Sequence, residues 1–155
     1  MRLTKTPTEP YNYERALGYA LWLLGRRAYS RMEVQRKLLT KTDEATTQAV
    51  LERIDDLNLV DDAAYAKRLI ETQKQRKGEL ALKQTLIQRG VPAQVIDANL
   101  AAVSEQEQVT VAKTLLEKHR WRFRGDEHAK RRKAYAFLAR RGFPLEVVNE
   151  ALETL

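Results

Sequence analysis

The chain has 155 residues, no cysteine, 28 Lys and Arg against 21 Asp and Glu, and 43% apolar residues. That is the composition of one folded body or a short row of modules, not of a disordered chain. Without cysteine there can be no disulfide framework, thiolate zinc site or cysteine nucleophile, two histidines are too few for most metal centres, and the net charge of +7 favours an anionic partner.

Met1 to Pro10 lacks the apolar stretch of a secretory signal and reads as a flexible tail over residues 1–10. The longest apolar cluster, Ala20 to Leu24, is far too short to span a bilayer. A cytoplasmic protein without membrane contact is expected, and with no heptad pattern, a monomer. Leu and Ala dominate over Val and Ile, which favours helices. Tyr13, Ala16, Leu17, Ala20, Leu21 and Leu24 recur at helical spacing and define a first helix ending near Gly25. Ser30 and Glu33 stand at capping-box spacing ahead of Val34 and Leu38, a short second helix. Thr42 or Asp43 caps a third, with Thr47, Val50, Leu51, Ile54 and Leu57 inward.

The pattern then restarts. Asp61 and Asp62 suit a helix N-terminus, and Tyr65, Ala66, Leu69, Ile70 and Gln73 line one face as far as Gly78. Leu82 and Leu86 mark the next helix, stopped at Gly90, and Pro92 opens another with Val95, Ile96, Leu100 and Val103 inward. Ser104 and Glu107 form a second capping-box pair ahead of Ala112, Leu115, Leu116 and His119. Helices from about Asp126 to Arg141 and from Pro144 to Leu155 complete a set of nine.

Leu86 to Leu100 aligns without gaps to Leu138 to Leu152, with Leu, Arg, Gly, Pro, Val and Leu coinciding, and Val34 to Ile54 follows the same plan loosely. An Arg-Gly-x-Pro junction recurring with its apolar neighbours is hard to obtain from helical periodicity alone. The expected fold is therefore all-α, an elongated tandem array of three three-helix repeats over 11–60, 61–103 and 104–155. Gly90 and Gly142 are assigned to helix ends, Pro92 and Pro144 to helix starts. The competing arrangement is a single compact helical bundle.

Catalytic patterns are missing. The six glycines are isolated and none leads into a phosphate loop. His119 and His128 are not at metal-ligand spacing, and the pairs Asp55-Asp56 and Asp61-Asp62 sit where helix ends call for carboxylates. No enzyme activity and no cofactor are expected. Charge placement says more. Lys113 to Arg141 holds eleven Lys and Arg against three acids, whereas Asp43 to Asp62 holds seven acids against Arg53 alone. Two further basic runs, Arg26 to Lys41 and Lys67 to Arg89, fall in corresponding halves of the first two repeats. Stacked in register, such runs would form a basic stripe suited to a polyanion. Arg120, Trp121, Arg122, Phe123 and Arg124 interleave rings with guanidinium groups, either to stack on unpaired bases or to place both rings in the core. Lys130, Arg131, Arg132 and Lys133 make a full turn of positive charge.

The segment Leu57-x-Leu59-Val60-Asp61-Asp62-x-x-Tyr65-Ala66, then Arg68, Lys77-Gly78, Leu86-x-x-Arg89-Gly90-Val91 and Arg140-Arg141-Gly142-Phe143, resembles the bacterial RecX regulatory proteins over residues 13 to 155. Two departures stand out. Glu79, Leu80 and Ala81 dilute the charge that follows Lys-Gly in that family, and Thr85 occupies a position where the family tends to carry Glu.

The resemblance implies three tandem three-helix units that lie in the groove of the RecA filament on single-stranded DNA. It further implies suppression of ATP hydrolysis, strand exchange and co-protease activity. The expected contact residues, for filament or nucleic acid, are Arg120, Trp121, Arg122, Phe123, Arg124 and the run Lys130 to Lys133, with Lys74, Arg76, Lys77 and Lys83 as a second patch. A general nucleic-acid-binding helical protein, or a helical adaptor that uses the acidic segment, remains the alternative.

Overall fold

The structure is a computed structural model that describes residues 9–155, so the tail expected over 1–10 falls, apart from Glu9 and Pro10, outside the described residues. Among the described residues there are nine α-helices, one short 3-10 turn and no strand, in agreement with the all-α repeat reading. None of these helices is long and apolar enough to cross a membrane. The chain divides into two compact units, one ending at Asp62 and one beginning at Ala63.

The first unit holds α1 (Tyr13–Arg26), α2 (Arg31–Leu39) and α3 (Glu44–Asp56). Each starts on a side chain that accepts from an otherwise orphaned amide. Asn12 accepts from Arg15 N–H at 2.9 Å and Asp43 from Thr46 N–H at 2.7 Å. Ser30 and Glu33 form a reciprocal capping box, both bonds 3.1 Å.

Thr47, Val50, Leu51 and Ile54 of α3 are buried against Val34 and Leu38 of α2 and against Ala16, Ala20 and Leu23 of α1. The expected α1 stripe is therefore rotated. Leu23 faces inward and Tyr19 is half-buried, while Tyr13 and Leu21 are exposed. The reason is geometric: six positions span a wider arc than two neighbouring helices cover, and the small Ala16 and Ala20 draw the contact to their side. Leu57, expected in the core, is exposed because α3 ends on it. Asn58 then turns left-handed at φ 51°, and Leu59 N–H returns to Ile54 C=O at 3.1 Å. Arg31 at the start of α2 gathers two of the acids, with its guanidinium on Asp55 at 3.0–3.2 Å and its amide N–H on Asp62 at 2.9 Å. Asp62 thus satisfies an amide at the start of α2, whereas Asp55 makes a partly exposed ion pair.

The second unit holds α4 (Asp62–Gln73, which begins at the unit boundary), α5 (Glu79–Gln88), α6 (Ala93–Leu100), α7 (Glu105–Lys118), the 3-10 turn Arg120–Arg122, α8 (Glu127–Arg140) and α9 (Leu145–Leu152). It has two apolar cores. Ala66, Ile70, Leu82, Leu86, Val91, Ile96 and Leu100 form one. The other runs from Val109 to Leu152 and includes Leu115, Phe123, Phe137, Leu138, Phe143 and Val148.

The repeated Arg-Gly-x-Pro junction has one backbone solution. Gly90 (φ 77°) and Gly142 (φ 84°) turn left-handed after α5 and α8. Val91 and Phe143 N–H then return to Leu86 and Leu138 C=O at 3.1 and 3.3 Å, and Pro92 and Pro144 stand at the N-cap, one position ahead of the first turn. Leu155, expected on the buried face of the last helix, is exposed because α9 stops at Leu152.

Within this unit the start of α5 is capped by groups far along the chain. Gly78 N–H donates to Arg141 C=O at 2.9 Å, Glu79 N–H to Gln108 Oε1 at 3.0 Å and Leu80 N–H to Gly142 C=O at 2.9 Å. Three amides that a helix leaves unpaired are thus satisfied by α7 and the α8–α9 turn. The approach is so close that a Cβ on Gly78 would lie 2.5 Å from Gly142 O and the Phe143 backbone. Ser104 accepts from Glu107 N–H at 3.0 Å, but the Glu107 carboxylate turns to Lys74, 2.9 Å away. A cation within reach draws the carboxylate from the expected reciprocal bond.

Candidate nucleic-acid interface

The basic segment 113–141 is distributed by the way α8 packs. Asp126 accepts from Ala129 N–H at 2.8 Å and starts the helix, but its buried face begins only at Ala134, with Phe137 and Leu138 following. Lys130 to Lys133 therefore lie ahead of the core and are all exposed, although not equally available. Arg131 Nη1 donates to Leu152 C=O at 3.3 Å, a cation at the C-terminus of α9. Lys133 Nζ donates to Arg124 C=O at 2.6 Å. Lys130 and Arg132 have no described partner.

The turn after α7 separates the two rings that the sequence leaves undecided. Trp121 is 68% exposed, whereas Phe123 is 7% exposed and meets Phe137 edge-on at 5.5 Å. Trp121 thus lies at the surface, while Phe123 is mostly in the core and reaches the surface only as part of a cleft lining. The arginines on either side face solvent. Arg120 is 3.9 Å from Glu117, a largely exposed pair, and Arg124 has no described side-chain partner. A cleft of about 840 Å³ lies beside Trp121, edged by Arg120, Arg124, His128, Lys130 and Arg131.

A second cleft, about 540 Å³, brings together residues that the sequence keeps some fifty positions apart. Arg76 and Lys77, which follow α4, face Arg122, Arg140 and Arg141, with Gln73 and Phe137 between them and no acid in the lining. Arg122 and Arg141 lie over the Phe137 ring, 5.5 and 4.8 Å from its centroid, and Arg141 donates to Arg76 C=O at 3.2 Å. Hydrogen bonding and ring contact thus hold these cations at short range despite their repulsion, and the cleft carries a concentrated positive field.

Two residues of the second expected patch lie apart from it. Lys74 is committed to Glu107 and Glu71, and Lys83 stands on α5, 4.0 Å from Asp97. Arg140 and Arg141 belong to the cleft but not to the contact residues drawn from the sequence. They are in the same dense basic segment, where the adjacent Gly-x-Pro junction points to a structural role first.

His119 lies under this cluster, its ring 5.1 Å from Phe137 and its Nδ1 buried without a hydrogen-bond partner. Burial first, then the charges of Arg141, Arg122 and Lys118, hold its pKa below the ordinary histidine value. The neutral form is favoured in the folded state, so the unfolded chain binds more protons across the interval between the two pKa values. His119 therefore contributes stability above about pH 6.5 that is lost as pH falls toward its folded pKa. Thermal melts across the neutral to mildly acidic range are expected to show a steeper decline for the native protein than for His119→Gln. Parallel curves would remove His119 as the source.

Three sequence models of one protein family match this chain in order. They are described as RecX, first three-helix domain (residues 16–53), second three-helix domain (61–100) and third three-helix domain (105–152). The chain is 38% identical over 136 residues to a "Regulatory protein RecX" of Thermus thermophilus, covering 88% of this chain and 89% of the relative. It is 34% identical over 145 residues to that of Chlorobium phaeobacteroides, covering 92% and 94%. The crystal structure of RecX from Lactobacillus salivarius, at 24% identity, superposes with a TM-score of 0.84 over 92% of this chain and 96% of that one, a likeness of fold. Three consecutive domain matches over most of the sequence, with relatives of this similarity and extent, place the chain in the RecX family of regulatory proteins.

Proposed function

We propose that this protein regulates the RecA recombinase by binding the RecA filament on single-stranded DNA, and that it thereby inhibits ATP hydrolysis, strand exchange and co-protease activity. The observation that carries this reading is the acid-free cleft in which Arg76 and Lys77 meet Arg122, Arg140 and Arg141, on a chain of a regulatory family. Such a cleft suits a partner whose surface is anionic and repetitive, because each phosphate neutralised releases counterions without requiring a particular base.

In this reading the protein is a cytoplasmic monomer of three repeats, 11–60, 61–103 and 104–155. Trp121, Arg120, Arg124, Lys130 and Arg132 extend the contact surface beyond the cleft. Inhibition follows if the protein binds one filament geometry more tightly than another, since a ligand shifts an equilibrium only by its differential affinity. Two of the acids that an adaptor would use, Asp55 and Asp62, are engaged with Arg31, which favours the basic surface over the acidic one.

The test is RecA's DNA-dependent ATPase on preformed filaments, titrated with this protein, with and without a large excess of free single-stranded DNA. Inhibition well below one molecule per RecA protomer that survives the excess is expected. Inhibition only at saturation of the DNA, or none, would replace this reading with that of a general polyanion binder or an adaptor.

A further inference from the structure

The chain has two tryptophans, and both lie at the surface under an arginine. Trp121 has Arg122 at 5.9 Å from its ring. Trp22, in the first unit, is 55% exposed and has Arg26 at 4.6 Å. Trp is among the most buried residue types on average, so an indole left more than half in water needs a reason.

Trp22 is one end of a ladder along the flank of α1. Tyr19 stacks on it with centroids 6.1 Å apart and planes 22° from parallel, and Tyr11 meets Tyr19 edge-on at 6.1 Å. Cations alternate with the rings. Arg15 lies 4.0 Å from the Tyr11 centroid, and Lys41 lies 5.9 Å from Tyr11 and 5.7 Å from Tyr19. The spacing 15, 19, 22, 26 is the four-three-four step that keeps side chains on one helical face.

The ladder is fixed before any partner arrives. Tyr11 N–H donates to Lys41 C=O at 2.8 Å and Thr42 Oγ1 to Tyr11 C=O at 2.6 Å, which ties its outer end to the α2–α3 turn. The neighbouring face of α1, Ala16, Ala20 and Leu23, is wholly within the core. Ordering these rings therefore adds little to the entropy cost of binding. Among the described residues Arg15, Arg26 and Lys41 form no ion pair with a carboxylate, and their contacts are with the rings.

We propose that this face of the first unit, Tyr11, Arg15, Tyr19, Trp22, Arg26 and Lys41, is a binding platform for an unpaired nucleic-acid strand. Bases stack on the exposed Trp22 indole, which the half-buried Tyr19 and Tyr11 hold in place, and phosphates pair with the three cations. A single strand is the one anionic polymer that offers both chemistries at once. A duplex presents phosphates with its base faces hidden, and an acidic polypeptide presents charge without π-faces. The platform lies wholly in the first unit and its action needs no RecA, so it stands or falls separately from the reading above.

The test uses the full chain carrying Trp121→Phe, in which Trp22 is the sole tryptophan, titrated with a short oligothymidylate while the strand's anisotropy reports binding. Quenching of Trp22 emission in step with binding is expected, lost at high salt, with affinity reduced about five-fold or more by a further Trp22→Ala and largely kept by Trp22→Phe. Circular-dichroism melts check that the alanine variant is folded. Unchanged Trp22 emission when the strand is bound would overturn the proposal. So would equal quenching by duplex DNA, which would mean phosphate contact without stacking, or by polyglutamate, which would point to an acidic protein partner. Because RecA is absent from the assay, a negative result here leaves the ATPase titration unaffected, and the reverse also holds.

Discussion

Gly142→Ala is expected to destabilise the unit that begins at Ala63 by about 3 kcal/mol, enough to lower its melting temperature by roughly 10 °C or more. Two costs combine. Gly142 has φ 84°, where a Cβ meets the following carbonyl and costs about 1–2 kcal/mol. The added methyl would also fall on the backbone and Cβ of Ala81 in α5. Ala81 has little freedom to withdraw, because Leu80 N–H is bonded to Gly142 C=O at 2.9 Å and Gly78 N–H to Arg141 C=O at the same distance.

Gly18→Ala is the matching control. Nothing lies within 4 Å of a Cβ there, the residue sits inside α1, and a gain of about 0.5–1 kcal/mol is expected. Thermal and urea melts of the two variants should shift in opposite directions. A Gly142→Ala protein melting with the native one would mean that α5 and the α8–α9 turn are not locked as described.

The double variant Arg76→Ala, Arg140→Ala is expected to weaken binding to single-stranded DNA, or to the filament on it, about ten-fold or more. It should also reduce the slope of log affinity against log salt by about 1.4, the change for two lost phosphate contacts on a single strand. These two residues come from the two sides of the cleft, and neither side chain has a described partner. Their removal therefore leaves no acceptor unpaired. Arg141 and Arg131 would be poorer probes, since the first donates to Arg76 C=O and packs on Phe137, and the second caps the end of α9. Lys83→Ala, in the same basic run but on α5 beside Asp97, should change affinity less than two-fold. Because binding is read over a range of salt, an unchanged slope for the double variant would remove the cleft from the interface, whatever the affinity at one condition.

Most of the helices could be read from the residues because their causes are local. Asn12 is the one of these N-caps that the sequence reading passes over, and it differs from Ser30 and Asp43 only in standing next to the tail. The half-formed box at Ser104 shows the limit of a spacing rule. Its acceptor is in place, but whether Glu107 turns back depends on Lys74, more than thirty residues earlier. Likewise the face of α1 was blurred by one side, because Tyr13 and Leu21 satisfy helical periodicity as well as Leu23 does and only the positions of α2 and α3 choose between them.

The candidate interface was legible as charge and not as geometry. The excess of Lys and Arg from Lys113 to Arg141, and the alternation around Trp121, are properties of composition. Which ring is buried, which cation already holds a carbonyl and which stands free are consequences of where α8 begins to pack. Trp22 and Tyr19 fall outside the stripe expected for α1, and nothing local to them indicates that their rings stack on one another at the surface.

The amino-acid sequence by itself determined the helices, most of their side-chain N-caps, the recurrence of the Gly-x-Pro junction and the basic balance of the chain. These follow from backbone preference, hydrogen bonding between near neighbours and net charge, all of which act over a few residues. Only the tertiary structure decided that Gly78 and Gly142 are the points of closest approach, that Lys74 is spent on Glu107, and that Arg76 and Arg140 border one cleft. Each of these joins residues some thirty to sixty-five positions apart, and such distances close only when buried apolar faces have set the helices against one another.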